Sequence, residues 1–307
     1  MIYLNDRNEK YIEFIKYYTS KGIHISRKGL IEIYKDSTTE PQKEYIIKLL
    51  SLNTELLHHK VIPFYTVTGR DNIKGGSITG ITKKLWKTIL SPPEGYVYAL
   101  YDFCQQEPAI AACFAGDHEL FEAYKSHDLY EVIGLEPELE TLSRTDLKKL
   151  VLPYLYGQRI ESYCLDTGSD IETVRLYFKA LNRKFHKVNH WLNQRCQQAF
   201  MEEYIHCLDW QMKVTQFSNP LTIRNWPIQA AGADILRRAC LGLFDKGIDL
   251  RLTNHDSFLV QIKVERFDME NQQIINILQN SCKQVLFGKS LNVKLEAIYE
   301  SHCGVKK

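Results

Sequence analysis

The chain has 307 residues, of which 44% are hydrophobic and 25% are charged, the balance of an ordinary folded globular protein. Its formal net charge is only +2, so the overall charge does not demand a nucleic-acid partner, and only local clusters of cations could argue for one. The eight cysteines show no Cys-x-x-Cys spacing and no apolar run reaches the roughly 20 residues of a membrane span, which argues against a disulfide framework, a zinc module and a transmembrane helix.

The first third of the chain is predicted to hold two helices, a turn-rich stretch and a strand. Apolar residues at helical spacing cover 8–18 and 41–58, whereas four glycines make 63–82 rich in turns. The β-branched and aromatic run YVYALYDF at 96–103 predicts a strand. A short helix follows directly, with Pro108 in its first turn, where proline is tolerated.

The rest of the chain is predicted to be helical at first and then to return to strands. Helical patterns cover 119–133, 143–163, 170–205 and 268–287, and the segment 219–247 is predicted to be a turn that leads into a helix ending near Gly247. A small hairpin precedes that turn, a second hairpin is predicted over 251–262, and NVKLEAIYE is the last strand. Strands on both sides of a long helical insertion predict an α+β fold whose sheet is assembled from distant segments.

Two aspartates stand at the ends of predicted strands. Asp102 lies at the end of the strand 96–103, and Asp256 lies at the bend of the hairpin RLTNHDSFLVQI. If these strands are neighbours in one sheet, the carboxylates lie close together and repel each other unless a cation lies between them. Divalent ions such as Mg²⁺ prefer such oxygen ligands. The alternative, which the spacing leaves open, is that each aspartate is a turn former or a helix cap.

The segment SRTDLKKLVLPYLYGQ places functional side chains on one helix face. Arg144, Lys148, Leu152 and Tyr156 follow one another at steps of four, so two cations are succeeded by an apolar residue and a tyrosine. Such a face is suited to a triphosphate at its charged end and to a base and sugar at the other. The alternative is a solvated amphipathic helix, although Pro153 is a cost that a plain packing helix has no need to carry.

Several blocks together resemble the family A DNA polymerases, the bacterial DNA polymerase I group. They are YDFCQQEPAIAACFAGD for motif A, RTDLKKLVLPYLYG for motif B, TNHDSFLVQI for motif C, TGR at 68–70, YF at 177–178 and NWPIQAAGADIL at 225–236. The resemblance implies a right-hand polymerase fold, with an antiparallel palm sheet and a helical fingers insertion. The expected parts are a helical segment with a reduced thumb (1–64), the first part of the palm (65–118), the fingers (119–217) and the second part of the palm (218–307).

A two-metal active site is the first consequence of this resemblance. Asp102, Asp256 and the backbone carbonyl of Phe103 would hold two Mg²⁺ ions, with Mn²⁺ as an alternative. One ion would activate the primer 3′-hydroxyl, and the other would hold the triphosphate and stabilise the leaving pyrophosphate. Lys148 would protonate that pyrophosphate as a general acid.

A pocket for a deoxynucleoside triphosphate (dNTP) is the second consequence. The expected dNTP-binding residues are Arg144, Lys148, Leu152, Tyr156, Glu107 and Gln105. Glu107 matches the family's steric gate and, together with Tyr156, would crowd a ribose 2′-hydroxyl. The related single-subunit RNA polymerases lack this glutamate, so Glu107 favours DNA synthesis over an RNA polymerase or primase activity.

Contacts with a DNA primer–template are the third consequence. Arg70, Asn225 and Gln229 match residues that read the minor groove near the primer end, which checks the shape of a correct pair. His255 would contact the backbone of the primer terminus, and a local hydrogen bond in the turn is the alternative for this residue. The resemblance therefore predicts a template-directed DNA polymerase.

Five residues depart from the family pattern. Leu152 replaces the aromatic residue that usually stacks on the incoming base, and Ser257 replaces the glutamate that follows the motif C aspartate. Pro153 is unexpected in its helix, Ala109 and Leu221 stand where arginines are common, and the Pro-Asn-Leu-Gln-Asn stretch after TGR is missing. These departures keep a second hypothesis open, a catalytically impaired module that binds primer–template or a partner protein.

The stretch before TGR sets the expectations for processivity. With only about 65 residues there, we expect no proofreading exonuclease and a reduced thumb, hence weak, salt-sensitive and distributive DNA binding. A processivity partner in place of the thumb stays open. The amino terminus is charged from Asp6 onward and has no apolar core of a signal peptide, so we expect a cytoplasmic protein, in the nucleoid or in a host cytoplasm if a phage or plasmid encodes it.

Overall fold

The computed structural model describes residues 6–301, which form two compact units. The sheet unit runs to Cys104 and also contains Ala233–Cys282 and the segment from Asn292 onward, whereas the helical unit comprises Gln105–Gly232 and Lys283–Leu291. One of the eight cysteines, Cys303, lies outside the described residues. Within them, no helix combines the length and the apolar character that a membrane crossing requires.

Helices make up most of the described chain. The α-helices α1 to α13 are, in chain order, Asp6–Lys21, Arg27–Asp36, Glu40–Ser51, Trp86–Ile89, Gln106–Phe114, His118–Ser126, Leu129–Ile133, Arg144–Leu155, Ile160–Thr167, Ile171–Lys184, His186–Glu202, Pro220–Asp245 and Phe267–Lys283. Short 3₁₀ turns add Ile78–Gly80, Lys83–Leu85 and Val264–Arg266.

The strands form one larger sheet and several hairpin-like pairs. The strands β1 to β10 are, in chain order, Ile23–His24, Leu56–Leu57, Lys60–Ile62, Asn72–Lys74, Tyr96–Phe103, Tyr204–Cys207, Trp210–Lys213, Asp249–Asn254, Ser257–Lys263 and Val293–Tyr299. The larger sheet has the order β10-β5-β9-β8, and every neighbouring pair in it is antiparallel. The predicted α+β fold with an antiparallel sheet assembled from distant segments is therefore confirmed.

Strand β5 lies at the centre of the sheet because its side chains are apolar on both faces. Tyr98 and Leu100 pack into a buried cluster on one face. On the other face, Phe103 meets Phe258 of β9 edge to face, with ring centroids 5.8 Å apart. Burial on both sides explains why this strand reads as a continuous apolar run and why the sequence placed it correctly at both ends.

The cluster around Tyr98 and Leu100 fixes the position of the sheet. It gathers apolar residues from the first ninety residues, among them Ile23, Leu30, Ile46, Leu49, Ile78, Trp86 and Ile89. Helix α2 approaches the end of α4 so closely that a Cβ at Gly29 would lie 2.0 Å from the Thr88 carbonyl oxygen. Only glycine fits this contact, so any larger residue at position 29 would push α2 away from the cluster.

The predicted helix over 170–205 is in fact two helices, α10 and α11. The chain departs from helical geometry at Phe185, with φ −101° and ψ 22°. The Phe185 ring is fully buried and lies 6.0 Å from the ring of Tyr154 in α8. The apolar spacing continues across the break, which is why the sequence pattern concealed it.

The other corrections concern element ends. The predicted helix 41–58 ends at Ser51, because Asn53 takes a left-handed φ of 50° and Leu56–Leu57 pair with β1 instead. The stretch 63–82 contains a strand, since Asn72–Lys74 pairs with Lys60–Ile62.

The helical unit shows further differences of the same kind. The helix 119–133 divides at Asp128, whose carboxylate caps α7. Residues 143–163 divide after Leu155, and Pro227 lies inside α12, which begins already at Pro220. Caps and prolines thus shorten or extend elements in ways that periodicity does not register.

Candidate active site

The two predicted carboxylates come together at one end of the sheet. Strands β5 and β9 are neighbours, and their register pairs Asp102 with Ser257. Asp256 belongs to the two-residue turn between β8 and β9, and its carbonyl oxygen accepts a hydrogen bond of 3.2 Å from the Phe103 backbone N–H. The condition set by the sequence, that the two strands lie side by side, is therefore confirmed.

The turn that carries Asp256 is tightly closed. Asn254 pairs with Ser257, and the Ser257 hydroxyl donates a 2.9 Å hydrogen bond to the Asn254 carbonyl oxygen. His255 is exposed and has a left-handed φ of 56°, a conformation that costs a non-glycine residue on the order of 1–3 kcal/mol. Strained residues of this kind cluster at functional sites, and here the strained residue presents the half-buried Asp256.

Asp102 is an unusual carboxylate for a strand end. Its side chain is 17% exposed, and its buried Oδ1 atom has no hydrogen-bond partner among the described residues. Burial, followed by repulsion from Asp256, raises the pKa of the Asp102 carboxyl to about 7, while Lys83 and Lys294 act in the opposite direction. A cation bound at Oδ1 would satisfy this buried oxygen and weaken the repulsion between Asp102 and Asp256.

These residues fit divalent ions with oxygen ligands. Two carboxylates and the Phe103 carbonyl are the donor types that Mg²⁺ prefers. The Oδ1 atom of Asp102 makes no hydrogen bond among the described residues, so it is available to coordinate a metal ion. Among residues 6–301, no group of three or more His, Cys, Asp or Glu side chains could hold a metal ion. The remaining ligands would have to be water or substrate phosphate oxygens, as is usual for Mg²⁺.

Helix α8 presents the second set of predicted residues within the helical unit. It begins with a reciprocal cap: the Asp146 N–H donates to the Ser143 hydroxyl at 3.2 Å, and that hydroxyl donates to the Asp146 carboxylate at 2.6 Å. The helix buries its apolar side through Leu147, Leu150, Val151, Tyr154 and Leu155. Arg144 and Lys148 are exposed on the other side, and Leu152 and Tyr156 are half-buried there, as the steps of four predict.

Arg144 is held in one orientation. Its Nε and Nη2 atoms donate to the Asp128 carboxylate at 2.9 and 2.6 Å, and its guanidinium lies 5.6 Å from the centre of the Tyr130 ring. Both partners belong to the start of α7. Sequence reasoning missed them because their proximity to Arg144 depends on how α7 packs on α8.

The end of α8 is also tied to helix α12. Tyr156 is the first residue after the helix, and its carbonyl oxygen accepts a 2.9 Å hydrogen bond from the Asn225 side chain. A Cβ at Gly157 would lie 2.6 Å from the side chain of Leu221, and Gly157 has a φ of 80°. The buried Asn225 therefore anchors the tyrosine, a contact that its predicted role in groove reading did not include.

The other predicted residues occupy different places. Gln105 has a left-handed φ of 46°, and its side-chain oxygen accepts from the Leu129 N–H at 3.2 Å. Glu107 is half-buried in the first turn of α5. Gln229 is half-buried on α12, and Arg70, likewise half-buried, lies in a turn closed by a 3.0 Å hydrogen bond from the Thr66 N–H to the Arg70 carbonyl oxygen.

Comparison with known proteins identifies relatives for most of the chain. The family model described as DNA polymerase family A matches residues 30–302. DNA polymerase I of Aquifex aeolicus is 26% identical over 284 residues, which cover 83% of this chain and 48% of that protein. The thermostable DNA polymerase I of Thermus filiformis is 21% identical over 261 residues, covering 76% of this chain and 31% of that protein. The chain thus spans about half, or less, of the length of these relatives.

A solved structure shares the fold. It is the POL domain of Pol1 from M. smegmatis in complex with DNA primer-template and dNTP, with a TM-score of 0.72 at 19% sequence identity. The match covers 83% of this chain and 50% of that one. The expected polymerase fold is therefore confirmed, whereas the division at 64/65, 118/119 and 217/218 stays a prediction.

Proposed function

The chain belongs to DNA polymerase family A, and on that premise we propose that it is a DNA-directed DNA polymerase that adds dNTPs to a primer 3′ end. The observation that carries the proposal is the pairing of Asp102 and Asp256 at one end of two neighbouring strands, with a buried, unsatisfied oxygen on Asp102. A fold that only bound DNA would gain nothing from a carboxylate whose buried Oδ1 atom has no hydrogen-bond partner among the described residues.

In the proposed reaction, Asp102, Asp256 and the Phe103 carbonyl would hold two Mg²⁺ or Mn²⁺ ions. When bound, these ions would lower the pKa of the primer 3′-hydroxyl and neutralise charge that develops on the triphosphate. Lys148 supplies the proton that the departing pyrophosphate takes up, because an exposed ammonium group on α8 can donate it as a general acid.

The dNTP is bound by the outer side of α8 in this proposal. Arg144 and Lys148 contact the phosphates, and the orientation that Asp128 imposes on Arg144 reduces the entropy lost when a phosphate binds. Leu152 and Tyr156 contact the base. Leu152 offers apolar surface without aromatic stacking, so we expect weaker binding of the base than a ring would give.

Sugar selection is assigned to Glu107 at the start of α5, with Gln105 beside it. A half-buried carboxylate in a helix first turn is held in place and would crowd a ribose 2′-hydroxyl. For the primer–template, Arg70 and Gln229 are proposed to contact the minor groove and His255 the primer terminus. Asn225 is proposed to act through Tyr156, since its amide donates to the Tyr156 carbonyl.

A second function is favoured by one observation, the use of Ser257 as a structural residue. Its hydroxyl closes the turn and the residue is only 2% exposed, so a glutamate in its place would lose this hydrogen bond and would bury a carboxylate opposite Asp102. On this basis the rival is an impaired module that binds primer–template or a partner protein. The rival predicts nucleotide-dependent DNA binding without incorporation.

Primer extension with dNTPs and Mg²⁺ tests the proposal. The wild type should extend a matched primer, Asp256→Ala should not, and Asp268→Asn, an exposed aspartate in the first turn of α13, should match the wild type. The proposal fails if the wild type extends no primer or if Asp256→Ala extends one equally well. The expected lack of proofreading and low processivity stay predictions, measured by removal of a mismatched 3′ end and by product lengths with excess trap DNA.

A further inference from the structure

A lysine from the last strand faces the proposed metal site. Lys294 of β10 pairs in register with Asp102 of β5, so both side chains lie on the same face of the sheet. The Lys294 Nζ atom lies 3.7 Å from the Oδ2 atom of Asp102. The opposite oxygen, Oδ1, is the buried atom without a partner among the described residues. The ammonium group therefore lies beside one carboxylate oxygen, and the other oxygen is left without a hydrogen-bond partner among the described residues.

The lysine is placed where it can move. Its side chain is 50% exposed, and a four-carbon stem allows the ammonium group to swing into water. The next cation along, Lys83, pairs at 2.6 Å with Glu296, at the irregularity of β10 between Leu295 and Ala297. Lys83 also lowers the pKa of Asp102, and by more than Lys294 does, but its ammonium group has an acidic partner of its own on β10. Lys294 is the cation that pairs in register with Asp102 and contacts its carboxylate.

Two features shift the charge of the site in the same direction. Ser257 stands where the family pattern has a glutamate, which removes one negative charge, and Lys294 adds one positive charge. Building on the proposed polymerase function, we propose that Lys294 is a resident cation of the metal site: it holds Asp102 when metal is absent and competes with the divalent ion. The site then needs a higher concentration of divalent ion for half-saturation than the two aspartates would need without Lys294.

The competition follows from electrostatics. A divalent ion bound to Asp102 would lie within a few ångströms of the ammonium group, so the two cations repel each other until the lysine swings away. Since Lys294 is half exposed, solvent screens part of this repulsion, and added salt should reduce it further. Removing the charge should therefore tighten metal binding by a factor of roughly three to ten at low salt.

A direct titration of Mn²⁺ by electron paramagnetic resonance, without DNA or nucleotide, tests the proposal. Lys294→Met should lower the dissociation constant by that factor, and Lys294→Arg should keep the wild-type value because it keeps the charge. The matched control is Lys263→Met: Lys263 lies at the other end of β9, is 47% exposed and has its acidic partner Glu265 at 3.9 Å. This control should leave the dissociation constant unchanged.

The outcomes separate this inference from the proposed function. If Lys294→Met and Lys263→Met bind Mn²⁺ alike, the pair with Asp102 is an ordinary surface ion pair and the inference is wrong, while the polymerase proposal stands. If Mn²⁺ binds no differently in Asp102→Asn, the metal site is wrong and both proposals fall. If Lys294→Met tightens binding and the wild type extends no primer, the inference holds and the polymerase proposal fails.

Discussion

Replacing Asp102 with asparagine should stabilise the metal-free protein while it abolishes primer extension. In the wild type the Asp102 carboxylate is largely buried, faces Asp256 and has an oxygen without a partner among residues 6–301. A carboxyl whose pKa rises from 3.8 to about 7 carries a native-state cost on the order of 4 kcal/mol when it is ionised. The asparagine variant avoids this cost but also loses the ion pair with Lys294, which offsets part of the gain. We therefore expect the free energy of unfolding to rise by a net amount of roughly 1–3 kcal/mol.

The gain should depend on pH in a defined direction. Because the folded-state pKa of Asp102 lies above the unfolded value, the folded protein binds more protons between about pH 4 and pH 7. The contribution of the wild-type carboxyl to stability therefore falls as the pH rises through that range. Asp102→Asn removes this loss, so its advantage should be largest near pH 8 and should disappear near pH 4.

Urea unfolding in the presence of EDTA measures this, at pH 8 and again at acidic pH. The exposed Asp268→Asn serves as the control and should match the wild type at both. A variant that unfolds at the same or a lower urea concentration than the wild type at pH 8 would refute the reasoning, because the carboxylate would then cost nothing in its present environment. With saturating Mn²⁺ the order should reverse, since only the wild type gains stability from bound metal.

Three further outcomes are expected. Glu107→Ala should raise the incorporation of ribonucleotides relative to deoxynucleotides, measured as the ratio of kcat/KM values, and an unchanged ratio would remove Glu107 from sugar selection. Ser257→Glu should lower the unfolding midpoint without raising primer extension, because it places a charge in a buried position opposite Asp102; a gain in extension would contradict this. His59 is 3% exposed, and burial lowers its pKa to about 4, so stability should fall as the pH drops from about 6.5 towards 4. In His59→Phe that fall should be shallower by up to about 3 kcal/mol, and an identical pH profile in urea unfolding would show that His59 is not the titrating group.

The sequence predicted the fold well where burial leaves a local pattern. Strand β5 was located to the residue because both of its faces are buried and most of its side chains are β-branched or aromatic. The break at Phe185 was invisible for the converse reason, since a buried ring there keeps the helical spacing intact. Periodicity reports which residues are inside and does not report where the backbone turns.

In the candidate site, too, the residues that mark a local pattern could be predicted, and those whose placement depends on register or packing could not. The proximity of Asp102 and Asp256 could be anticipated because each aspartate ends a recognisable strand, and only their pairing had to be assumed. Lys294 could not be anticipated, because NVKLEAIYE shows an edge strand without its register, and a shift by one residue would turn the lysine to the other face. The contact between Asn225 and Tyr156 likewise depends on packing between helices that are far apart in the chain.

The order β10-β5-β9-β8 also bears on how the protein is made. Strand β5 leaves the ribosome before helices α5 to α12, and its sheet neighbours β9 and β10 follow only after those helices. During translation the aromatic strand β5 therefore stays unpaired at both edges until β9 and β10 are made, and in that time it can pair with other chains. Long-range pairing of this kind folds slowly. We expect chaperone supply and growth temperature during expression to decide the soluble yield more than the final stability does.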